Sequence, residues 1–178
     1  MPARTSRLAP RTFATLGVVC ALLILTACSG GGTSGRGSQD TSSGGAASFT
    51  GTTLEGASFD SSALDGQPAV LWFWAPWCTV CRAEAPDVAA VAEEFSADVT
   101  FVGIAGRGEV GPMRQFVADT GTGGFEHVSD VDGTLWQQFG VVSQPSFVFV
   151  DSSGQTTLVP SGLSADELRQ MTKSLLSS

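Results

Sequence analysis

Basic residues and histidine are scarce in this sequence. It contains nine lysines and arginines against seventeen aspartates and glutamates, and a single histidine, His127. Nucleic acids and anionic membrane surfaces are bound through clustered positive charge, so this composition argues against both as charge-driven partners. The histidine lies in a weak strand pattern without a recognisable catalytic partner, and we interpret it as structural.

Long apolar segments are also lacking. The apolar stretch near the N-terminus, residues 13–25, is shorter than the ~20 residues that a membrane-spanning helix needs. It follows an arginine-containing segment, residues 4–11, and precedes the small residues of a cleavage site, which is typical of an export signal covering residues 1–27. Its removal leaves six basic residues (nine minus three) against the same seventeen acids, a net charge of about −11.

Cysteine is sparse as well, with four in the whole chain. Cys20 is discarded with the export signal. The run Leu25-Thr26-Ala27-Cys28 resembles the lipobox of bacterial lipoproteins, which implies that Cys28 is acylated and becomes the mature N-terminus. The alternative is an ordinary secretory signal followed by an incidental cysteine. With Cys20 removed and Cys28 acylated, Cys78 and Cys81 are the thiols left for chemistry.

The remaining chain divides into a linker and one domain. Residues 28–47 are almost entirely Gly, Ser, Thr and Ala, a composition that cannot form a core and predicts a flexible tether. Residues 48–178 are about the usual size of a single compact domain.

Strand and helix patterns alternate along this domain. Residues 69–74 are apolar at every position, which predicts a strand buried on both faces in the middle of a sheet. A helix should follow the cysteines, kinked at Pro86, and a capping box of Ser164 and Glu167 should start the last helix. The remaining predictions are an N-terminal hairpin over 49–54 and 57–59, a strand over 99–104, a helix over 112–119, a short edge strand over 125–128, a helix over 134–139, a hairpin over 146–150 and 155–159, and a helix over 164–175. Together they predict an α/β sandwich with a mixed sheet.

The pair Cys78 and Cys81 lies where the buried strand turns into the helix. A thiol at a helix N-terminus favours its thiolate, so this position suits reactive sulfur. Outside the cytosol such a pair is either a redox couple or a structural disulfide. A structural disulfide closing so short a loop would constrain the unfolded chain little.

The segment from Trp72 to Pro86, with Trp77-Cys78-Thr79-Val80-Cys81 at its centre, resembles the active-site segment of the thioredoxin superfamily. The N-terminal hairpin, the extra helix after Ile104 and the run at 140–145 resemble the TlpA and DsbE branch of extracytoplasmic thiol-disulfide oxidoreductases, above all the DsbE and DsbF lipoproteins of actinobacteria. The resemblance implies a thioredoxin-like sandwich, with a mixed central sheet flanked by helices and an N-terminal hairpin.

The resemblance also implies roles for individual residues. Cys78 would be the exposed nucleophile and Cys81 the resolving cysteine. A cis bond before Pro145 would lie beside them and leave the Gln144 backbone free to bind an extended substrate. Trp77 would shield the pair and offer substrates an apolar contact.

Glu84 admits two interpretations. It matches a family carboxylate that modulates both thiols, but it could equally be a solvated residue on the helix surface. Trp72 occupies the position at which thioredoxin has a buried aspartate, and Glu84 could take over that aspartate's role. Trp74 and Trp136 are predicted to be core residues.

The resulting hypothesis is a monomeric oxidase of exported proteins, anchored outside the cell membrane, working without a cofactor and recharged by a membrane redox partner. One alternative is a reductase of the cytochrome c maturation or TlpA type. Another is a copper-binding module using the cysteine pair and His127. A peroxidase would need an isolated cysteine in a Thr-x-x-Cys setting, which the sequence lacks.

Overall fold

The structure is a computed structural model that describes residues 48–177. The predicted export signal, Cys28 and the predicted tether lie outside these residues. Among the residues described, no helix is both long enough and apolar enough to cross a membrane.

The described chain alternates strands and helices as predicted. The strands are β1 (Thr50–Thr53), β2 (Ser58–Asp60), β3 (Ala69–Trp74), β4 (Thr100–Gly106), β5 (Glu126–Asp130), β6 (Ser146–Val150) and β7 (Thr156–Val159), and the α-helices are α1 (Thr79–Glu94), α2 (Val110–Thr120), α3 (Thr134–Gln138) and α4 (Ala165–Leu175). In this part of the chain the seven strands form one sheet in the order β2-β1-β5-β4-β3-β6-β7. The predicted thioredoxin-like sandwich with a mixed sheet and an N-terminal hairpin is confirmed.

Strand β3 forms the centre of the sheet. It pairs in parallel with β4 and antiparallel with β6, and all its side chains are buried. Because successive side chains of a strand point to opposite faces, β3 contributes to two cores. Trp72 and Trp74 pack with residues of α1, α2 and α4, whereas Leu71 and Phe73 pack with α3. The end of β3, and the cysteines that follow it, therefore lie near the middle of one end of the sheet.

The prediction of an edge strand near residue 125 is wrong. Strand β5 lies inside the sheet, parallel to β4 and antiparallel to β1. Its sequence looks weak because two buried positions are polar, His127 and Asp130. Their polar atoms are satisfied by hydrogen bonds that exist only in the folded protein, including those from the backbone of Leu135 and Trp136 to the Asp130 carboxylate.

Helices α1 and α4 lie nearest the site, and each contains a feature predicted from its sequence. Helix α1 runs through Pro86 to Glu94, and the kink at Pro86 stays a prediction. The capping box of α4 is confirmed, because Ser164 Oγ accepts the Glu167 N–H while the Glu167 carboxylate accepts the Ser164 N–H at 2.9 Å. This cap fixes the loop before α4, which lies against the site described next.

Candidate active site

The cysteine pair occupies the first turn of α1. Cys78 is the N-cap residue, and its Sγ accepts a hydrogen bond of 3.0 Å from the backbone N–H of Cys81. The two sulfurs are joined in a disulfide. The N–H donors of the first helical turn, which otherwise lack partners, thus point toward Cys78, where they stabilise negative charge on sulfur.

The two cysteines differ in accessibility, though less than predicted. Cys78 is 6% exposed and Cys81 is fully buried at 0%. The prediction of an exposed Cys78 is therefore wrong in degree, since the residue is mostly covered in the disulfide form. Cys78 is nevertheless the more accessible of the two, as expected, because it is the only one of the two that a partner can approach.

Glu84 is buried in the second turn of α1. It is 8% exposed, which overturns the interpretation of a solvated surface glutamate. Its Oε1 accepts a hydrogen bond of 2.8 Å from Trp72 Nε1. Burial raises the pKa of this carboxyl to about 7, although the hydrogen bond from Trp72 and the nearby backbone N–H of Leu163 favour the charged form. Residues three apart on a helix are neighbours, so Glu84 lies beside Cys81.

Trp72 is the buried aromatic residue that contacts this carboxyl. Its ring is fully buried and packs against Trp74, with ring centroids 5.7 Å apart. Where thioredoxin has a buried aspartate, this chain therefore has Trp72, whose indole N–H binds the carboxylate of Glu84 on α1. The prediction that Trp74 and Trp136 are core residues is also confirmed.

Pro145 and Gln144 lie at the same end of the sheet. The Gln144–Pro145 peptide bond is cis, as the family resemblance implied, and Pro145 directly precedes Ser146, which pairs with Phe73 of β3. Gln144 is half-buried, and within residues 48–177 its backbone makes no hydrogen bond. A substrate-binding role for this free backbone stays a prediction.

A glycine completes the pocket around Glu84. A Cβ placed on Gly162, in the loop before α4, would lie 2.7 Å from Glu84 Oε2 and 3.2 Å from Pro145 Cγ. The loop at Gly162 thus lies close to both the carboxylate and the cis-proline. Sequence reasoning missed Gly162, because nothing in its local sequence marks a close approach.

Three large apolar side chains are exposed near the cysteines. Trp77 is 58% exposed, Val80 57% and Val142 77%. Trp77 precedes Cys78, Val80 lies between the cysteines, and Val142 belongs to the segment that leads to Pro145. Trp77 was predicted to offer substrates an apolar contact, which stays a prediction; Val80 and Val142 were not singled out from the sequence.

His127 belongs to a separate, structural arrangement. It is 3% exposed, and its Nδ1 accepts the indole N–H of Trp74 at 3.2 Å while Nε2 lies 2.9 Å from the Thr122 carbonyl oxygen. Burial lowers the pKa of this histidine and so favours its neutral form. The copper hypothesis would require its ring nitrogens to face the cysteines, whereas both are engaged elsewhere. In the described part of the chain, no group of three or more His, Cys, Asp or Glu residues could hold a metal ion.

The central strand, the helix-capped Cys-x-x-Cys disulfide and the cis-proline at the same end of the sheet define a thioredoxin-like protein with a redox-type cysteine pair. The chain belongs to the AhpC/TSA family, whose family model matches residues 44–158.

Similar proteins come from mycobacteria. The soluble secreted antigen MPT53 of Mycobacterium tuberculosis is 49% identical over 123 residues, which cover 67% of this chain and 70% of the antigen. The structure of M. tuberculosis DsbF is 44% identical, with a TM-score of 0.70 over 71% of this chain and 94% of that one. A secreted M. tuberculosis disulfide oxidoreductase homologous to E. coli DsbE is 45% identical, with a TM-score of 0.68 over 72% and 96%. The predicted resemblance to DsbE and DsbF proteins is confirmed.

Proposed function

We propose that the protein is an extracytoplasmic thiol-disulfide oxidoreductase that forms disulfides in exported proteins. The observation that carries this proposal is the helix-capped disulfide, in which Cys78 Sγ accepts the Cys81 N–H and Cys78 is the accessible partner. Relatives described as a secreted disulfide oxidoreductase and as DsbF support the same reaction class.

The reaction proceeds through a mixed disulfide. A client thiolate attacks Cys78 Sγ, the Cys78–Cys81 bond breaks, and Cys81 leaves with the electron pair and takes up a proton. A second client thiolate then attacks the client sulfur, and Cys78 leaves as a thiolate. The client loses two electrons and forms a disulfide, while the protein gains those electrons as a dithiol. In the reverse direction Cys78 is the attacking nucleophile and Cys81 resolves the intermediate.

The site electrostatics favour the oxidising direction. The helix N-terminus stabilises the Cys78 thiolate, and a stabilised thiolate makes the reduced form favourable and the disulfide a stronger oxidant. Glu84 lies beside Cys81 rather than Cys78, and its raised pKa leaves it partly protonated near neutral pH. Its charge therefore opposes the Cys78 thiolate only weakly.

Glu84 has a second part in the same proposal. A buried carboxyl with a pKa of about 7 can give up or accept a proton near physiological pH, and it lies one helical turn from Cys81. We assign it the role of modulating Cys81 by supplying the proton that this cysteine takes up when it leaves. A reductase remains the competing direction, since a buried carboxylate beside a thiol disfavours the thiolate.

The proposal extends to the site's rim and the partners. Trp77 and the free Gln144 backbone would contact a client held across the cysteines next to Pro145. Clients would be exported proteins with thiols or disulfides, and a membrane redox partner would reoxidise the dithiol of the monomeric protein.

Export and anchoring are further parts of the proposal. Residues 1–27 would be cleaved, Cys28 acylated, and residues 28–47 would tether the domain to the outer face of the membrane. A relative named a soluble secreted antigen supports export. Metabolic labelling with a fatty acid tests the anchor: label on the wild-type chain and none on Cys28→Ala supports it, and unlabelled, released wild-type protein would refute it.

Trapping of clients tests the proposed reaction. Cys81→Ala should accumulate mixed disulfides between Cys78 and exported proteins, because the resolving sulfur is missing. Cys78→Ala is the matched control, since it keeps one buried thiol and should trap nothing. Trapping by neither variant would contradict the proposed exchange, and recovery of cytochrome c precursors alone would favour the reductase.

A further inference from the structure

Arg107 has an unusual backbone in the loop between β4 and α2. Its φ angle is +55°, and among the described residues it is the only non-glycine with a positive φ. This region is sparsely populated for residues with a Cβ, so such a residue is usually held there by its surroundings. The side chain is exposed, so burial of the arginine does not explain the conformation.

Contacts from both the main chain and the side chain of Arg107 supply an explanation. Its carbonyl oxygen accepts a hydrogen bond of 2.7 Å from Trp77 Nε1. Its guanidinium donates a hydrogen bond of 3.1 Å to the carbonyl oxygen of Val142 and lies 4.7 Å from the ring centroid of Trp136. The flat guanidinium can stack and donate at once, which an ammonium cannot.

These contacts join the two segments that flank the cysteine pair. Trp77 immediately precedes Cys78, and Val142 lies in the segment that ends at Gln144 and Pro145. Both expose apolar side chains, so the surface open to a client at the cysteines is bounded by these two segments. Arg107 itself has no hydrogen bond or ring contact with either cysteine in the part of the chain described here.

We propose that Arg107 is a positioning residue that holds the Trp77 and Val142 segments at a fixed separation and thereby preforms the client-binding groove. The proposal rests on the proposed function, because it concerns how a protein client is held during disulfide exchange. Arg107 acts on client binding through these two segments and leaves the chemistry of the sulfurs alone. Exchange with a small disulfide or thiol, which needs no groove, is therefore not slowed when Arg107 is removed.

Steady-state kinetics with two kinds of substrate test this inference. With a reduced, unfolded protein as client, Arg107→Ala should raise KM roughly tenfold, as expected for losing a charged hydrogen bond and its preorganisation, while kcat is unchanged. The rate with glutathione should stay at the wild-type value. Arg107→Lys keeps the charge without the stacking and should give an intermediate KM.

Two further variants guard this test. Arg169→Ala removes a partly exposed arginine that pairs with Glu94, at the far end of α1 from the cysteines, and should leave the KM for the protein client and the rate with glutathione unchanged. Trp77→Phe removes the indole donor to Arg107 but keeps an aromatic ring, so it probes the same link even if Arg107→Ala does not fold. In the double variant, the effects of Trp77→Phe and Arg107→Lys on KM should be less than additive, because both substitutions weaken the same link between the Trp77 and Val142 segments.

An unchanged KM in Arg107→Ala and Trp77→Phe would overturn the inference, as would an equal loss of rate with glutathione. Either result presumes a wild-type protein that exchanges disulfides with the client. If the wild-type protein itself fails to do so, the proposed function has failed, which is a distinguishable outcome.

Discussion

Trp72 Nε1 donates a 2.8 Å hydrogen bond to Glu84 Oε1, joining the central strand to the active-site helix beneath the cysteines. The bond holds a carboxyl in a buried position three residues after Cys81. Because burial outweighs this hydrogen bond, the pKa of the carboxyl is raised to about 7, and Glu84 becomes the group whose protonation changes near neutral pH.

Glu84→Gln should change how stability depends on pH. The folded-state pKa of about 7 lies above the ordinary 4.5, so the contribution of this carboxyl to stability is complete below pH 4.5 and is lost as pH rises from there through 7. The loss is on the order of 3 kcal/mol at most. Glutamine keeps an acceptor for Trp72 and does not titrate. Urea unfolding of the oxidised proteins between pH 4 and 8.5 measures this, and parallel stability curves for the two proteins would contradict it.

Trp72→Phe should raise the pKa of Glu84 further. The substitution keeps an aromatic ring but removes the donor that favours the charged carboxylate. Trp74→Phe is the matched control, because the Trp74 donor goes to His127 and its loss should leave the Glu84 pKa unchanged. Carbon-13 NMR titration of the glutamate carboxyls measures both, and an equal shift in the two variants would show that the indole donor is not the cause.

Gly162→Ala should destabilise the oxidised protein by about 1–3 kcal/mol, the usual cost of an overpacked site. Its methyl group would lie 2.7 Å from Glu84 Oε2 and 3.2 Å from Pro145 Cγ. Gly111→Ala is the control: Gly111 lies in α2 with open space at the Cβ position, and alanine should stabilise there by roughly 0.5–1 kcal/mol. Chemical denaturation compares the pair, and two changes of the same sign would be inconsistent with the packing described.

His127→Ala should cost stability and leave disulfide exchange intact. The substitution removes the partner of the Trp74 indole and leaves a cavity in the core, a loss of about 2–4 kcal/mol. The rate of exchange with glutathione and the affinity for Cu(I) should match the wild-type values, since both ring nitrogens are engaged away from the cysteines. Loss of a tight Cu(I) site in this variant alone would revive the copper-binding hypothesis.

The sequence predicts the framework of the site because its signals are local. The apolar run of β3 predicts that strand with its observed ends, 69–74, and the capping box of Ser164 and Glu167 marks the start of α4. Both depend on residues close together in the chain, where periodicity and hydrogen-bonding chemistry can be read directly.

The surroundings of Glu84 could not be predicted in this way. Its burial depends on Trp72 and on the Gly162 loop, which come together only when the sheet and helices pack. The interior position of β5 was missed for the same reason, because its buried His127 and Asp130 find their partners through tertiary structure. Arg107 is a further case, since its link to Trp77 and Val142 spans three separate segments.

The reduction potential of the Cys78–Cys81 couple is the most direct test of an oxidising role. It is measured by equilibrating the protein with glutathione buffers at pH 7 and following the disulfide, which lies in the same core cluster as Trp72 and Trp74, by tryptophan fluorescence. Stabilisation of the Cys78 thiolate by the helix N-terminus predicts a potential above about −200 mV, toward the range of protein disulfide isomerase and DsbA. A value at or below the ~−270 mV of thioredoxin would contradict the oxidising function and identify the protein as a reductase.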